Sequence, residues 1–224
     1  MTEGFIKSAD LAEAIASYNE TLKNNPDDDV TWYDRAMALR DLGRYEEAIA
    51  SFEKVVELRP EYDAAWNNLG VALTDLGRFT EAIASYDQAL KIEPNNDAVW
   101  YNRGLALFNL ERYEEAIDSY DRALKFKPDK EAAWYNRGLA LFNLELYEEA
   151  IDSYDRALII KPDDASSYYN KARCYALQSD VIRSIENLQK TIELNPEWRE
   201  QAKTDSEFDR IRQEKQFQLL IKES

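Results

Sequence analysis

Apolar positions in this chain return with a period of 34 residues. Trp32, Trp66, Trp100, Trp134 and Tyr168 stand 34 apart, and each is followed 28 residues later by a proline: Pro60, Pro94, Pro128, Pro162 and Pro196. A bulky aromatic early and a proline late in a block of this length predict a pair of helices joined by a turn. Such a pair cannot bury its apolar face alone and must stack on its neighbours as a solenoid. First helices are predicted near 29–42, 63–76, 97–110, 131–144 and 165–178, and second helices near 45–58, 79–92, 113–126, 147–160 and 181–194. Proline cannot donate the helical hydrogen bond and turns the residue before it away from the α region, so each second helix should end at or before Arg59, Glu93, Lys127, Lys161 and Asn195. Gly43 and Gly77 can close the first helices in the left-handed conformation. Glu111, Glu145 and Ser179 stand at the same place later, at a cost of about 1 kcal/mol each if that conformation is kept.

Small residues fall four positions after the leading aromatic, and aromatic and alanine slots follow. The third unit reads Trp100, Gly104, Tyr113, Ala116, Tyr120, Ala123 and Pro128. The second reads Trp66, Gly70, Phe79, Ala82, Tyr86, Ala89 and Pro94, and the fourth Trp134, Gly138, Tyr147, Ala150, Tyr154, Ala157 and Pro162. This order of slots resembles the tetratricopeptide repeat (TPR) family. The first unit departs at Val55, and the fifth departs most, with Tyr168, Ala172, Val181, Ser184, Leu188 and Thr191. The resemblance implies an all-α, right-handed superhelical solenoid of antiparallel helix pairs that acts as a protein-binding scaffold, with five repeats over 27–196.

On either side the period is incomplete. Leu11, Ala14, Tyr18 and Pro26 match the second half of a further unit, so residues 1–26 are expected to be an N-terminal half-repeat with a helix near 8–24. Either Phe5 and Ile15 find other cover, or this end associates with something, or the sequence is cut from a longer protein; all three readings stand open. Residues 197–224 lose the pattern, yet Thr204 or Asp205 can cap a helix, after which Phe208, Ile211, Phe217, Leu220 and Ile221 fall largely on one face. These C-terminal capping helices are expected to cover the end of the last repeat, as solenoids require for solubility.

The resemblance also locates a ligand face, because the family's concave groove is lined by a fixed set of first-helix positions. Applied to this sequence it holds Tyr33, Tyr101, Tyr135 and Tyr169 beside Met37, Leu105 and Leu139, with Phe108 and Phe142 further along. The core slots are filled by the signature residues, so the central stripe of Tyr101, Leu105, Phe108, Tyr135, Leu139 and Phe142 is left facing the groove, and an exposed apolar patch of that size implies a partner. Asn68, Asn102, Asn136 and Asn170 form a second series in the groove. An asparagine ladder can hold the backbone of a bound peptide, or it can bond the adjacent repeat and stabilise the stack; both uses stand open. The clamp of lysines and arginine by which some members of the family hold a chaperone's acidic C-terminus is missing: its places hold Tyr33, Met37, Asn68, Ala98 and Asn102, and shifted frames do no better.

Charge and composition narrow the partner. Lys and Arg number 28 against 44 Asp and Glu, a net −16, which opposes nucleic acid and anionic membrane surfaces and favours apolar segments with basic flanks. No histidine occurs, which removes the commonest general base, metal ligand and nucleophile partner, and no Gly-rich phosphate loop is present. No enzyme activity, cofactor or metal is therefore expected. Acidic turns at Asp27, Asp28 and Asp29 and at Asp163 and Asp164 are expected to cap helices. Cys174, the single cysteine, is expected to be a buried structural thiol. Arg35, Arg103, Arg137 and Lys171 are expected to pair with carboxylates such as Asp118, Asp121, Asp152 and Asp155. Without a bilayer-spanning stretch or a secretory leader, the location expected is cytoplasmic. The alternative to a peptide-binding scaffold is a homo-oligomer assembled through the end helices, at Leu11, Tyr18, Phe217 or Leu220. Residues 100–128 and 134–162 differ only at Arg112/Leu146, Lys125/Ile159 and Phe126/Ile160, an internal duplication that presents the same surface twice.

Overall fold

The computed structural model describes residues 2–222, with side chains from residue 9 onward, so Phe5 lies outside the described side chains. Among the described residues the chain is helical and has no strand. The paired helices are α2 (Asp29–Asp41) and α3 (Tyr45–Leu58), α4 (Asp63–Asp75) and α5 (Phe79–Ile92), α6 (Asp97–Asn109) and α7 (Tyr113–Phe126), α8 (Glu131–Asn143) and α9 (Tyr147–Ile160), and α10 (Ala165–Leu177) and α11 (Val181–Leu194). They are preceded by α1 (Thr2–Asn24) and followed by α12 (Trp198–Thr204), a 3₁₀ turn at Ser206–Phe208 and α13 (Lys215–Lys222). Every second helix stops two residues short of its proline. Helix α1 begins at Thr2 rather than near residue 8.

The packing divides into two units, Met1–Glu111 and Arg112–Ser224. In the first, α1 to α6 pack in chain order, each on the next; in the second, α7 to α11 do the same.

Local chemistry sets the helix ends. Asp28 accepts the Thr31 amide at 3.1 Å and its hydroxyl at 2.8 Å, and Asp164 accepts the Ser167 amide at 2.8 Å, so both acidic turns act as N-caps. The turns inside the repeats keep a left-handed residue whatever its type: φ is 73° at Gly43 and Gly77, 59° at Glu111, and 62° at Glu145 and Ser179. Just after them, Arg44 grips Glu47 through two bonds of 2.7 Å, an arrangement repeated by Arg78 with Glu81 and Arg112 with Glu115. The Arg44 guanidinium holds the Glu47 carboxyl below its ordinary value.

Close approach fixes the helix pairs. A Cβ on Gly138 would fall 2.5 Å from Cε1 of Tyr154, so only glycine admits the ring at this spacing. Between repeats the leading indole is a latch: Nε1 of Trp32, Trp66, Trp100 and Trp134 donates to the carbonyl of the proline six residues earlier at 2.8, 2.8, 2.8 and 2.9 Å. Tyr168, without an indole, has no such bond to offer. The cations three residues after the leading aromatics tie first helices to the second helix before them, through Arg103 to Asp87 at 2.7 Å, Arg137 to Asp121 at 2.6 Å and Lys171 to Asp155 at 2.5 Å. Arg35 reaches Asn19 there instead, at 2.7 Å, because α1 carries no carboxylate at that place.

The C-terminal segment closes the second unit. Helices α12 and α13 start at the places where a sixth pair of helices would start, although none of the signature residues remains. Phe208, Ile211, Phe217 and Ile221 are buried in one cluster with Tyr169, Ala172, Ala176, Leu188 and Ile192. Phe217 is therefore core and cannot serve as an association surface.

Candidate partner-binding faces

The first helices carry the residues expected to meet a partner, and each unit presents its own set. In the first unit Tyr33, Met37, Asn68, Tyr101, Asn102, Leu105 and Phe108 are all half-buried. Tyr33 packs edge-on against Phe52 at 5.8 Å and beside Tyr62 at 5.3 Å, and burial raises its phenol above the ordinary value. The face changes character along the unit: Arg40, Asp41 and Thr74 border its beginning, Leu105 and Phe108 its end. Burial raises the Asp75 carboxyl, with Arg40 opposing the shift.

In the second unit Tyr135, Asn136, Leu139 and Phe142 are half-buried on α8. Tyr135 stands 5.9 Å from the Tyr154 ring, and Phe142 lies 5.7 Å from Tyr147 with the Arg173 guanidinium 4.5 Å above it. Arg173 is itself held by Asp205 at 3.4 Å and Glu207 at 3.5 Å.

Two expected site residues are withdrawn from any partner. Tyr169 is 2% and Asn170 5% exposed. The start of α12 lays Trp198 4.4 Å, and the following 3₁₀ turn lays Phe208 5.7 Å, from the Tyr169 ring, while the Tyr169 hydroxyl donates to Asp205 at 2.7 Å. The one-face pattern after Thr204 foretold a cover for the last repeat but not that it would reach Tyr169.

The asparagines join repeats. Asn68 Nδ2 donates to the Tyr33 hydroxyl at 2.7 Å, Asn102 Nδ2 to Asn67 Oδ1 at 3.2 Å and Asn170 Nδ2 to the Tyr135 hydroxyl at 3.1 Å. Asn68 also accepts from Arg40 at 3.0 Å, and Asn170 from Arg173 at 2.9 Å. Asn68, Asn102 and Asn170 thus make inter-repeat bonds. Asn136 turns to the Ala132 carbonyl at 2.8 Å.

Among the described residues no group of three acidic, cysteine or histidine side chains could hold a metal, and no helix is long and apolar enough to cross a membrane. Cys174 is buried, and burial pushes its thiol up to about 12.

Tetratricopeptide repeat family models match residues 33–98, 75–131, 101–165 and 165–197. Among solved structures, the chain is similar to YrrB, a TPR protein with an unusual peptide-binding site, at 23% identity and a TM-score of 0.71, over 80% of this chain and 92% of that one. It is also similar to MamA, at 22% identity and a TM-score of 0.72, over 75% of this chain and 92% of that one. MamA from Desulfovibrio magneticus RS-1 matches at 21% identity and 0.72, covering 75% and 96%. At these identities the likeness fixes the fold. Among curated proteins none matches the sequence.

Proposed function

The chain belongs to the tetratricopeptide repeat family, and on that premise we propose that it is a non-enzymatic protein-interaction scaffold, holding partner segments on the faces that its first helices line within each unit. The observation that carries this reading is the half-burial of Leu105 and Phe108 in one unit and of Leu139 and Phe142 in the other. These side chains sit on helices whose core positions are already filled by alanine, glycine and leucine, such as Ala106 and Leu107, or Ala140 and Leu141. The leucines recur with the duplicated sequence, while Phe142 lies under the Arg173 guanidinium, and such a face suits an extended or helical segment with apolar side chains. The net charge of −16 adds a preference for basic flanks. YrrB, with its peptide-binding site, supports a peptide as the class of ligand.

Leu105→Lys combined with Leu139→Lys tests the assignment without removing a ring from the core. In pull-downs from the source cell, the variant should lose partners that the unchanged protein retains, while its circular dichroism stays the same. Equal capture by both proteins counts against the first-helix face.

A further inference from the structure

We propose that the outward face of α9 is a second docking surface, where a cationic amphipathic helix of another protein lays apolar side chains on either side of Ile159 and sets lysine or arginine against Asp152 and Glu149. This surface is separate from the first-helix faces and goes beyond them.

Comparison of the blocks singles it out. The position of Ile159 is charged in every other block, as Lys23, Glu57, Lys91, Lys125 and Glu193. Here it is isoleucine and 73% exposed. Residues 100–128 and 134–162 differ at three positions, and at two of them the later block has an aliphatic residue for a cation: Leu146 for Arg112 and Ile159 for Lys125. Glu149 therefore lacks the clasp that Arg112 gives Glu115, and it has no ion-pair partner among the described residues. The substitutions that uncover an apolar side chain thus also leave α9 acidic, with Glu148, Glu149, Asp152 and Asp155 against Arg156.

The chemistry of the occupant follows from what surrounds Ile159. It stands between two surface hollows, one of about 260 Å³ lined by Trp134, Arg137 and Asp152, the other of about 360 Å³ lined by Tyr168, Lys171 and Leu158. Each offers an aromatic ring beside the isoleucine, which suits apolar side chains of an incoming helix. On α8, Trp134 and Arg137 lie on a different side from Tyr135, Leu139 and Phe142. The cations at the two hollows are already engaged, Arg137 with Asp121 at 2.6 Å and Lys171 with Asp155 at 2.5 Å. Asp152, by contrast, is exposed and has no partner among the described residues. It precedes Ile159 by seven residues, so the carboxylate and the isoleucine share one side of α9 about 10 Å apart. The complementary helix carries a cation and an apolar side chain two turns apart on one face. A second copy of this chain would instead set the α9 carboxylates against each other, which opposes association.

A labelled model peptide with leucine on one helical face and lysine on the other is the probe, and its counterpart with glutamate for lysine is the control, each titrated against the full chain by fluorescence anisotropy. Saturable binding of the lysine peptide alone is expected, weakening as salt is added. Ile159→Gln, which keeps the charge, should weaken it by about tenfold. Asp152→Asn with Glu149→Gln should weaken it by about three- to tenfold, whereas the same removal of charge in the first unit, Glu46→Gln with Glu53→Gln, should leave it within about twofold. The α9 side chains changed are all exposed, so melting curves should stay where they are. The proposal is overturned by absence of saturation, by indifference to Ile159→Gln, or by equal loss with the first-unit pair, which would reduce the attraction to net charge. Loss with Leu105→Lys and Leu139→Lys but not with Ile159→Gln would also overturn it and place the peptide on the first-helix faces. So would a dimer in sedimentation that Ile159→Gln dissolves.

Discussion

The backbone of Gly70 and the ring of Tyr86 leave no space for a methyl group between them: a Cβ on Gly70 would lie 2.5 Å from Cε1 of Tyr86. The ring cannot swing clear, because it is 1% exposed and its hydroxyl shares a 3.1 Å hydrogen bond with Thr74. Gly70→Ala gains about 1 kcal/mol of helix propensity but incurs about 1–3 kcal/mol of overpacking. The net expectation is a loss of about 1 kcal/mol, measured by urea unfolding. An increase in stability would mean that the helices separate freely.

Tyr154 repeats the packing of Tyr86 but not its bond. Phe142 stands where the Thr74 position recurs two units later, and the buried Tyr154 hydroxyl has no partner. Tyr86→Phe should cost about 1 kcal/mol, whereas Tyr154→Phe should be neutral or stabilising, since it removes a desolvated group that gains nothing in return. Opposite signs in paired urea titrations check the assignment; equal losses would contradict it.

Alkaline pH should unfold the chain in a defined window. Burial raises Cys174 from an ordinary 9.0 to about 12 and Tyr86 from 10.0 to about 12. Both groups are neutral when protonated, so folding favours the protonated form; their contribution is complete below the unfolded values and is lost as pH rises through the folded ones. The melting temperature should therefore decline between about pH 9 and 12. Cys174→Ala should delay the onset towards pH 10, where tyrosine begins to ionise in the unfolded chain.

Phe208 is the anchor of the C-terminal closure. Phe208→Ala should destabilise the second unit by about 3–5 kcal/mol through a cavity against Tyr169 and Phe217. Trp198 emission should shift to the red and dye binding should rise as Tyr169 is uncovered. Leu219→Ala, at a side chain 52% exposed, should change stability by no more than about 0.5 kcal/mol.

Helix boundaries were legible because each is written by a local device: a proline that cannot continue the ladder, or a residue forced to positive φ. The left-handed turn persists at Glu111, Glu145 and Ser179, so backbone hydrogen bonding and packing outweigh the steric penalty there. The early start of α1 was missed because the place of Gly43 is taken by Ala9, a strong helix former that gives no reason to turn. The start of α12 at Trp198 lay hidden directly behind Pro196. Closure of the last repeat was legible in the one-face pattern of Phe208, Ile211 and Phe217, but not that Asp205 and Phe208 would seal Tyr169, because that depends on tertiary contact. The asparagine ties were foreseen as one of two uses, and the 35-residue reach from Asn68 back to Tyr33 is one of them.

The indole-to-proline latch has a consequence for how such an array grows. Each 34-residue block carries one indole and one proline, and its indole fastens to the proline of the block before it, so a block copied whole is fastened on both sides and needs no compensating change in its neighbours. Lengthening by one rung is then a single genetic event rather than a coordinated series. The near-twin blocks beginning at Trp100 and Trp134 are what a chain looks like soon after that event.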